Sequence, residues 1–270
     1  MPHNIAGIPI RAKLQSGART CGAFLQINSP IAAEIMGQAG FDWLIVDLEH
    51  GPVDLGSLVQ QFQAIGCGGT SAPFVRAPSN DTTTIKRILD TGARGILVPS
   101  VNTRADAEAV VDACLFPPDG VRGAAKSPRA AGYGRSGRDY FAAANQTLTI
   151  IVSVETTEAL ANLDAILAVP RIDGIFIGPM DLAVSMGFWN VDAPEVQAAI
   201  KLIEAKVLAS AKFLGTISTD WSQAQALYEM GYQWLILMQD GLTLAAQART
   251  TVAHFRGAFP DAAAEPGQGQ

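Results

Sequence analysis

The sequence predicts an α/β fold, a single-domain (β/α)8 barrel, and three observations carry the prediction. Eight short apolar runs alternate with segments whose apolar residues recur at helical spacing. No composition break divides them, and 270 residues suit one closed barrel, which needs about 250. The run 41–51, FDWLIVDLEHG, buries itself and then stops on Asp47, Glu49 and His50, as a parallel strand delivering chemistry at its carboxyl end would.

In chain order, 20–27 (TCGAFLQI) reads as the first strand, and Ser29 with Pro30 starts a helix running to about Gly40. The stretch FDWLIVDLE is the second strand, whose alternation sets Asp47 and Glu49 on one face and Val46 and Leu48 on the other. Leu55, Leu58, Val59, Phe62 and Ile65 mark a helix ended by the glycines of 66–69, and 72–76 is the third strand. Asn80 or Asp81 caps the next helix, through Leu89, before the fourth strand, 92–99. A helix over 104–115 leads to Pro117, Pro118 and Gly120, which open the irregular segment 121–138. It carries Arg122, Lys126, Arg129, Arg135 and Arg138, and a loop this long is either functional or a solvated surface connection. Strands over 148–154, 174–178, 213–217 and 232–238 alternate with helices over 157–168, around Val196 to Val207, from a cap at 218–220 to Met230, and over 242–255. The barrel domain spans 1–260, and 261–270 is a frayed tail.

Hydrophobic residues make up 49% of the chain and charged ones 16%, enough for a large core and a subunit interface. The net charge is −6 with no Lys/Arg cluster suited to a phosphate backbone, which argues against nucleic acid. Cys21, Cys67 and Cys114 are far apart and read as core thiols of a reducing compartment. No apolar run reaches the roughly 18 residues of a membrane span, and the amino terminus does not read as a signal peptide. A soluble cytoplasmic protein is expected.

The strand ends hold a short, coherent set: Asp47, Glu49 and His50, then Arg76, Glu155 and Asp181. Two carboxylates from neighbouring strands, completed by water and a substrate oxygen, make an open site for Mg²⁺ or a similar hard ion. The bland reading makes Glu155 an acid facing a helix dipole and Asp181 an N-cap. A zinc cage is not on offer, since His3, His50 and His254 are the only imidazoles. Lysine Schiff-base chemistry is disfavoured, because no lysine falls at a strand's carboxyl end. No GxGxxG or Walker sequence marks a phosphate loop.

FDWLIVDLEHG, APFVRAP, ILDTGARGILVPSV, FPPDGVRG, VSVETTEALANLDAI and DGIFIGPMDLAVSMG jointly resemble the HpcH/HpaI aldolase family, from about Ala23 to Phe255. The resemblance implies a metal-dependent class II pyruvate aldolase cleaving acids such as 4-hydroxy-2-oxoheptanedioate or 2-dehydro-3-deoxyglucarate. It also implies a hexamer, a trimer of dimers that exchange a C-terminal helix. Position by position, it makes Glu155 and Asp181 ligands of Mg²⁺, Mn²⁺ or Co²⁺, His50 the general base, and Arg76 the group steadying the enolate oxygen. Asp90 becomes the acid that raises the basicity of His50, although the strand map puts it far from the barrel mouth. The backbone at Met180 and Asp181 holds the pyruvate carboxylate. Ser153 stands where the family commonly has a Gln that reaches the keto acid, which leaves the substrate open, and the segment KSPRAAGYGR also departs from the common pattern. Two alternatives remain: a lyase of citryl-CoA or malyl-CoA type, with 121–138 as its nucleotide groove, and a non-catalytic 2-oxo acid binding protein.

Overall fold

Eight parallel strands pair in sequence order and the last closes on the first, so the sheet has no free edge. In the computed structural model, which describes residues 10–137 and 139–260, the strands are β1 (Thr20–Leu25), β2 (Trp43–Asp47), β3 (Ala72–Arg76), β4 (Gly95–Val98), β5 (Thr149–Val154), β6 (Gly174–Ile177), β7 (Phe213–Ile217) and β8 (Trp234–Gln239). The tail 261–270, His3 and Arg138 lie outside the described residues. The helices are α1 (Ile10–Gln15), α2 (Pro30–Gln38), α3 (Leu55–Gly68), α4 (Thr82–Asp90), α5 (Arg104–Cys114), α6 (Asp139–Thr147), α7 (Thr157–Ala161), α8 (Leu163–Leu167), α9 (Pro179–Ser185), α10 (Pro194–Leu208), α11 (Trp221–Met230) and α12 (Asp240–Ala258). Asp81 caps α4 by accepting from the Thr84 amide at 2.7 Å, and Ser29 caps α2 ahead of Pro30.

Strand alternation divides the core in two. Leu44, Val46, Val75, Ile150, Val152 and Val154 pack outward under the helices, whereas Phe24, Trp43, Ile45, Phe74, Ile151, Phe176, Phe213 and Trp234 fill the barrel. Trp43 and Trp234 stack there with ring centroids 4.1 Å apart. Rings this large fit only against bare backbone: a Cβ on Gly22 would lie 2.1 Å from Trp43, and one on Gly95 2.0 Å from Phe74. The inward parity carried one step past the aromatic layer reaches Gln26, Asp47, Arg76 and Ser153, the polar floor of the mouth.

Several elements depart from expectation. The stretch before β1 contains α1, whose Ile10 and Leu14 are buried against the barrel interior at its amino end. Two apolar residues one turn apart were too weak a signal among polar neighbours. β1 stops at Leu25 because the Asp240 carboxylate takes the amides of Gln26 and Ile27. β2 stops at Asp47, whose own carboxylate takes the amides of Glu49 and His50, so a turn and not strand alternation places Glu49. The helix expected over 157–168 breaks at Asn162, which donates to the Asn102 carbonyl. The segment 121–138 contains a short 3-10 turn, Arg129–Gly134, and is followed by α6. Of the three thiols only Cys114 is buried; Cys21 is half-buried and Cys67 exposed, which corrects the reading of all three as core.

α12 leaves the barrel after its first turn. Asp240 is its one buried residue, while Leu242, Leu244, Val252 and Phe255 face solvent. Among the described residues no helix is long and apolar enough to cross a membrane.

Candidate active site

Asp47 and Arg76 are register partners on β2 and β3. Arg76 donates from Nε to Asp47 Oδ1 at 2.8 Å and from Nη2 to Oδ2 at 2.5 Å, and Gln26 Nε2 adds a bond to Oδ2 at 2.7 Å. Arg76 Nη1 lies 3.2 Å from Glu49 Oε2, and its guanidinium carbon sits 4.5 Å from the Phe24 ring centroid. The group is thus fixed on three sides, yet of its five N–H groups these contacts use three, leaving two for a substrate oxygen. Burial alone would raise the Asp47 carboxyl, but the Arg76 guanidinium and the Gln26 amide outweigh it and hold the group below the usual carboxylate range.

His50 stands at the mouth, exposed, with Nε2 3.7 Å from Glu49 Oε2. Burial raises the Glu49 carboxyl; Arg76 and His50 oppose that shift, and the charges of Asp47 and Asp181 add to it.

Glu155 and Asp181 both lie close to Gly178. A Cβ on Gly178 would lie 2.8 Å from Glu155 Oε2 and 3.5 Å from Asp181 Oδ2, so the two oxygens are no farther apart than those distances combined. Both acids stand beside a helix start, Glu155 just before the N-cap of α7 and Asp181 in the first turn of α9, but neither is itself the cap. Thr156, not Glu155, caps α7, accepting from the Ala159 amide at 3.0 Å; Gly178, not Asp181, holds the N-cap position of α9. Glu155 is buried and its Oε1 accepts the Ser100 amide at 2.6 Å. Ser100 delivers that amide from a left-handed backbone, φ 56°, a strained conformation of the kind found where geometry serves a site. Burial pushes the Glu155 carboxyl up; the Ser100 amide opposes this, and the neighbouring charges of Asp181 and Glu49 reinforce it. Glu49, Glu155 and Asp181 therefore crowd the mouth above Asp47, and among the described residues no thiol or second imidazole joins them. Among the described residues no group of three or more His, Cys, Asp or Glu is gathered closely enough to hold a metal ion.

Ser153 shares the inward parity of Ile151 and pairs in register with Phe176; it is buried on the approach to Glu155. Met180 is exposed at the start of α9. Asp90 is not in this group. It ends α4 at the amino side of β4 and binds Arg122 Nη2 at 2.8 Å, so within one chain it does not meet His50. Arg122, Arg129 and Arg135 are also at the amino ends of the strands: Arg129 donates to the Thr91 carbonyl, just before β4. They line no part of the mouth within the chain. Lys13 and Lys212 are tied to Asp42 and to the carbonyls of Val169 and Ile172, again at the amino side. Sequence reasoning missed Gln26, Ser100 and Gly178. The first had a strand-parity signal; the other two act through backbone, which residue type does not reveal.

The family model for HpcH/HpaI aldolase/citrate lyase matches residues 20–255. The hydroxypyruvate/pyruvate aldolase of Pseudomonas aeruginosa is 39% identical over 251 residues, covering 93% of each chain. The 5-keto-4-deoxy-D-glucarate aldolase of Escherichia coli strain K12 is 38% identical over 231 residues, 85% of this chain and 90% of that one. The crystal structure of an HpcH/HpaI aldolase/citrate lyase family protein from Burkholderia cenocepacia superposes with a TM-score of 0.87 at 33% identity, covering 92% of this chain and 98% of that one.

Proposed function

Since the chain belongs to the HpcH/HpaI aldolase/citrate lyase family, we propose that it is a class II aldolase, cleaving a 4-hydroxy-2-oxo acid to pyruvate and an aldehyde and joining them in reverse. The observation that carries this reading is the convergence of Glu155 and Asp181 at Gly178 beside Arg76 and His50.

The donor chemistry fits a hard divalent cation such as Mg²⁺, Mn²⁺ or Co²⁺, with Glu155 and Asp181 as the protein ligands. When bound, the ion supplies Lewis-acid stabilisation of the charge that develops on the 2-oxo oxygen. The chain's own residues do the rest. His50 Nε2 takes the proton of the C4 hydroxyl, and the C4 oxygen collapses to the aldehyde carbonyl as the C3–C4 bond breaks. The electron pair moves onto the pyruvate fragment as an enolate, and the two N–H groups that Arg76 keeps outside its bonds to Asp47 and Glu49 stabilise its oxygen. The proton that His50 took is returned to C3, which completes pyruvate and frees the imidazole for the next turnover. Amides at the start of α9, around Met180 and Asp181, receive the substrate carboxylate, and Ser153 leaves room beside the keto acid where a longer side chain would fill it. Asp90 serves His50 only in an assembly that brings a second chain's α4 to the mouth. The apolar residues that α12 exposes support a homo-oligomer in which this helix packs on a partner, and the unpaired thiols support a cytoplasmic location.

A CoA-thioester lyase would need a basic groove at the mouth, and the arginine-rich segment sits at the other end of the barrel. The test is a panel of 4-hydroxy-2-oxo acids, with pyruvate release followed enzymatically in Mg²⁺, Mn²⁺ or Co²⁺ and again in EDTA. Metal-dependent release supports the aldolase; release untouched by EDTA contradicts it. Binding of pyruvate without exchange of its methyl protons in D₂O would leave only a binding protein.

A further inference from the structure

At the amino end of the barrel, away from His50 and Glu155, a cavity of about 850 Å³ opens between α3, the starts of β3 to β5, and the segment before α6. Arg94, Arg122, Arg129 and Arg135 line it, with Tyr133 and Tyr140, and no Asp or Glu lines it. In a chain of net charge −6 this is a concentration of cations with a single acid, Asp90, paired to one of them. Among the described residues no carboxylate lies within ion-pair distance of Arg94, Arg129 or Arg135. Arg122 spends one Nη on Asp90, but its Nε, buried in a side chain only 3% exposed, has no hydrogen-bond partner. Arg129 Nη1 donates to the Thr91 carbonyl at 2.7 Å, and Gly92, at φ +100°, admits it: a Cβ there would lie 2.7 Å from that nitrogen. The backbone has thus made room for a guanidinium and aimed it without pairing it. Arg122 is buried and Arg94 and Arg129 are half-buried, and guanidinium groups brought together with one acid among them repel one another unless an anion joins them.

We propose that this cavity is an anion-binding site, taking one small molecule that carries a phosphate or a pair of carboxylates. Guanidinium forks match both groups in bidentate geometry. The volume exceeds that of a bare ion and lies in the range of metabolite pockets, and Phe62, Leu89 and Leu148 give the ligand's body an apolar wall. Within the chain the cavity lies at the opposite end of the barrel from His50 and Glu155, and the proposal does not depend on the aldolase reading.

The full chain is titrated calorimetrically with inorganic phosphate and, separately, with succinate, at constant ionic strength set by NaCl. One saturable site per chain is expected for one of the two probes, which identifies the source of the charge. Arg94→Gln and Arg129→Gln each weaken it by about tenfold or more, and Arg94→Lys restores part of the loss; near-UV circular dichroism checks that each variant is folded. On the unaltered protein, the bound anion protects Arg94 and Arg129 from phenylglyoxal, read by mass spectrometry. No saturable binding of either anion, equal binding by folded Arg94→Gln, or no protection of the two arginines overturns the proposal. A fall in assembly mass on Arg94→Gln, with no anion bound by the parent chain, assigns the arginines to a subunit contact instead and likewise overturns it.

Discussion

The Asp47 carboxylate faces the Arg76 guanidinium across neighbouring strands and receives it through both Nε and Nη2. The contact is buried, with Asp47 fully so. A bidentate pair of this kind orients the guanidinium more than it stabilises the fold, because desolvation consumes much of the Coulomb gain.

Removing one partner is therefore costly twice over. Asp47→Asn is expected to destabilise the chain by about 3 kcal/mol at neutral pH, since Arg76 stays buried with less charge against it. It should also lower kcat/KM by on the order of a hundredfold, because misplacing a catalytic group by about an ångström has that cost. Thermal melting and steady-state kinetics of the same preparation check both.

The pH dependence of that stability follows from the depressed Asp47 carboxyl. A carboxylate whose folded value lies below its unfolded one contributes above the unfolded value, about 3.9 for Asp, and loses the contribution as pH falls through the folded value. The stability gap between the parent chain and Asp47→Asn should hold from pH 7 to about 5 and shrink below about 4. A gap that widened on acidification would contradict the assignment.

His50→Ala is expected to cut aldol cleavage by about a hundredfold to ten-thousandfold while leaving melting temperature nearly unchanged, because the side chain is exposed and, among the described residues, Glu49 is the one acid within ion-pair distance.

Ser100 gives a prediction of another kind. Its amide, not its hydroxyl, reaches Glu155, and its backbone is left-handed. Ser100→Gly should leave cleavage intact and stabilise the chain by up to about 1 kcal/mol, the steric cost of the conformation less the entropy that glycine loses. Loss of activity in Ser100→Ala would show that the hydroxyl matters after all.

The barrel was legible because its strands are buried on both faces and read as unbroken apolar runs, and because the polar residues ending them fall at one end once the strands are parallel. Asp47, Glu49, His50, Arg76, Glu155 and Asp181 were found that way. Bounds were less legible where a distant side chain intervened: Asp240, more than 200 residues away in sequence, ends β1. α1 was hidden because its burial depends on the barrel floor and not on its own pattern. Asp90 was drawn to the mouth by resemblance, whereas the strand map had already set it apart; the fold puts it at the barrel's amino end, together with Arg122 and Arg129. Gly178 matters for what it lacks, a Cβ close to two acids, and no local pattern announces that.

The central claim is that Glu155 and Asp181 share one divalent ion. Titration of Mn²⁺ into the metal-free chain, followed by electron paramagnetic resonance of the free ion, tests it most directly. One site per chain, lost in Glu155→Gln and in Asp181→Asn while both variants remain folded, is the predicted result. Mn²⁺ bound equally well by either variant, or not bound at all by the parent chain, would contradict the account.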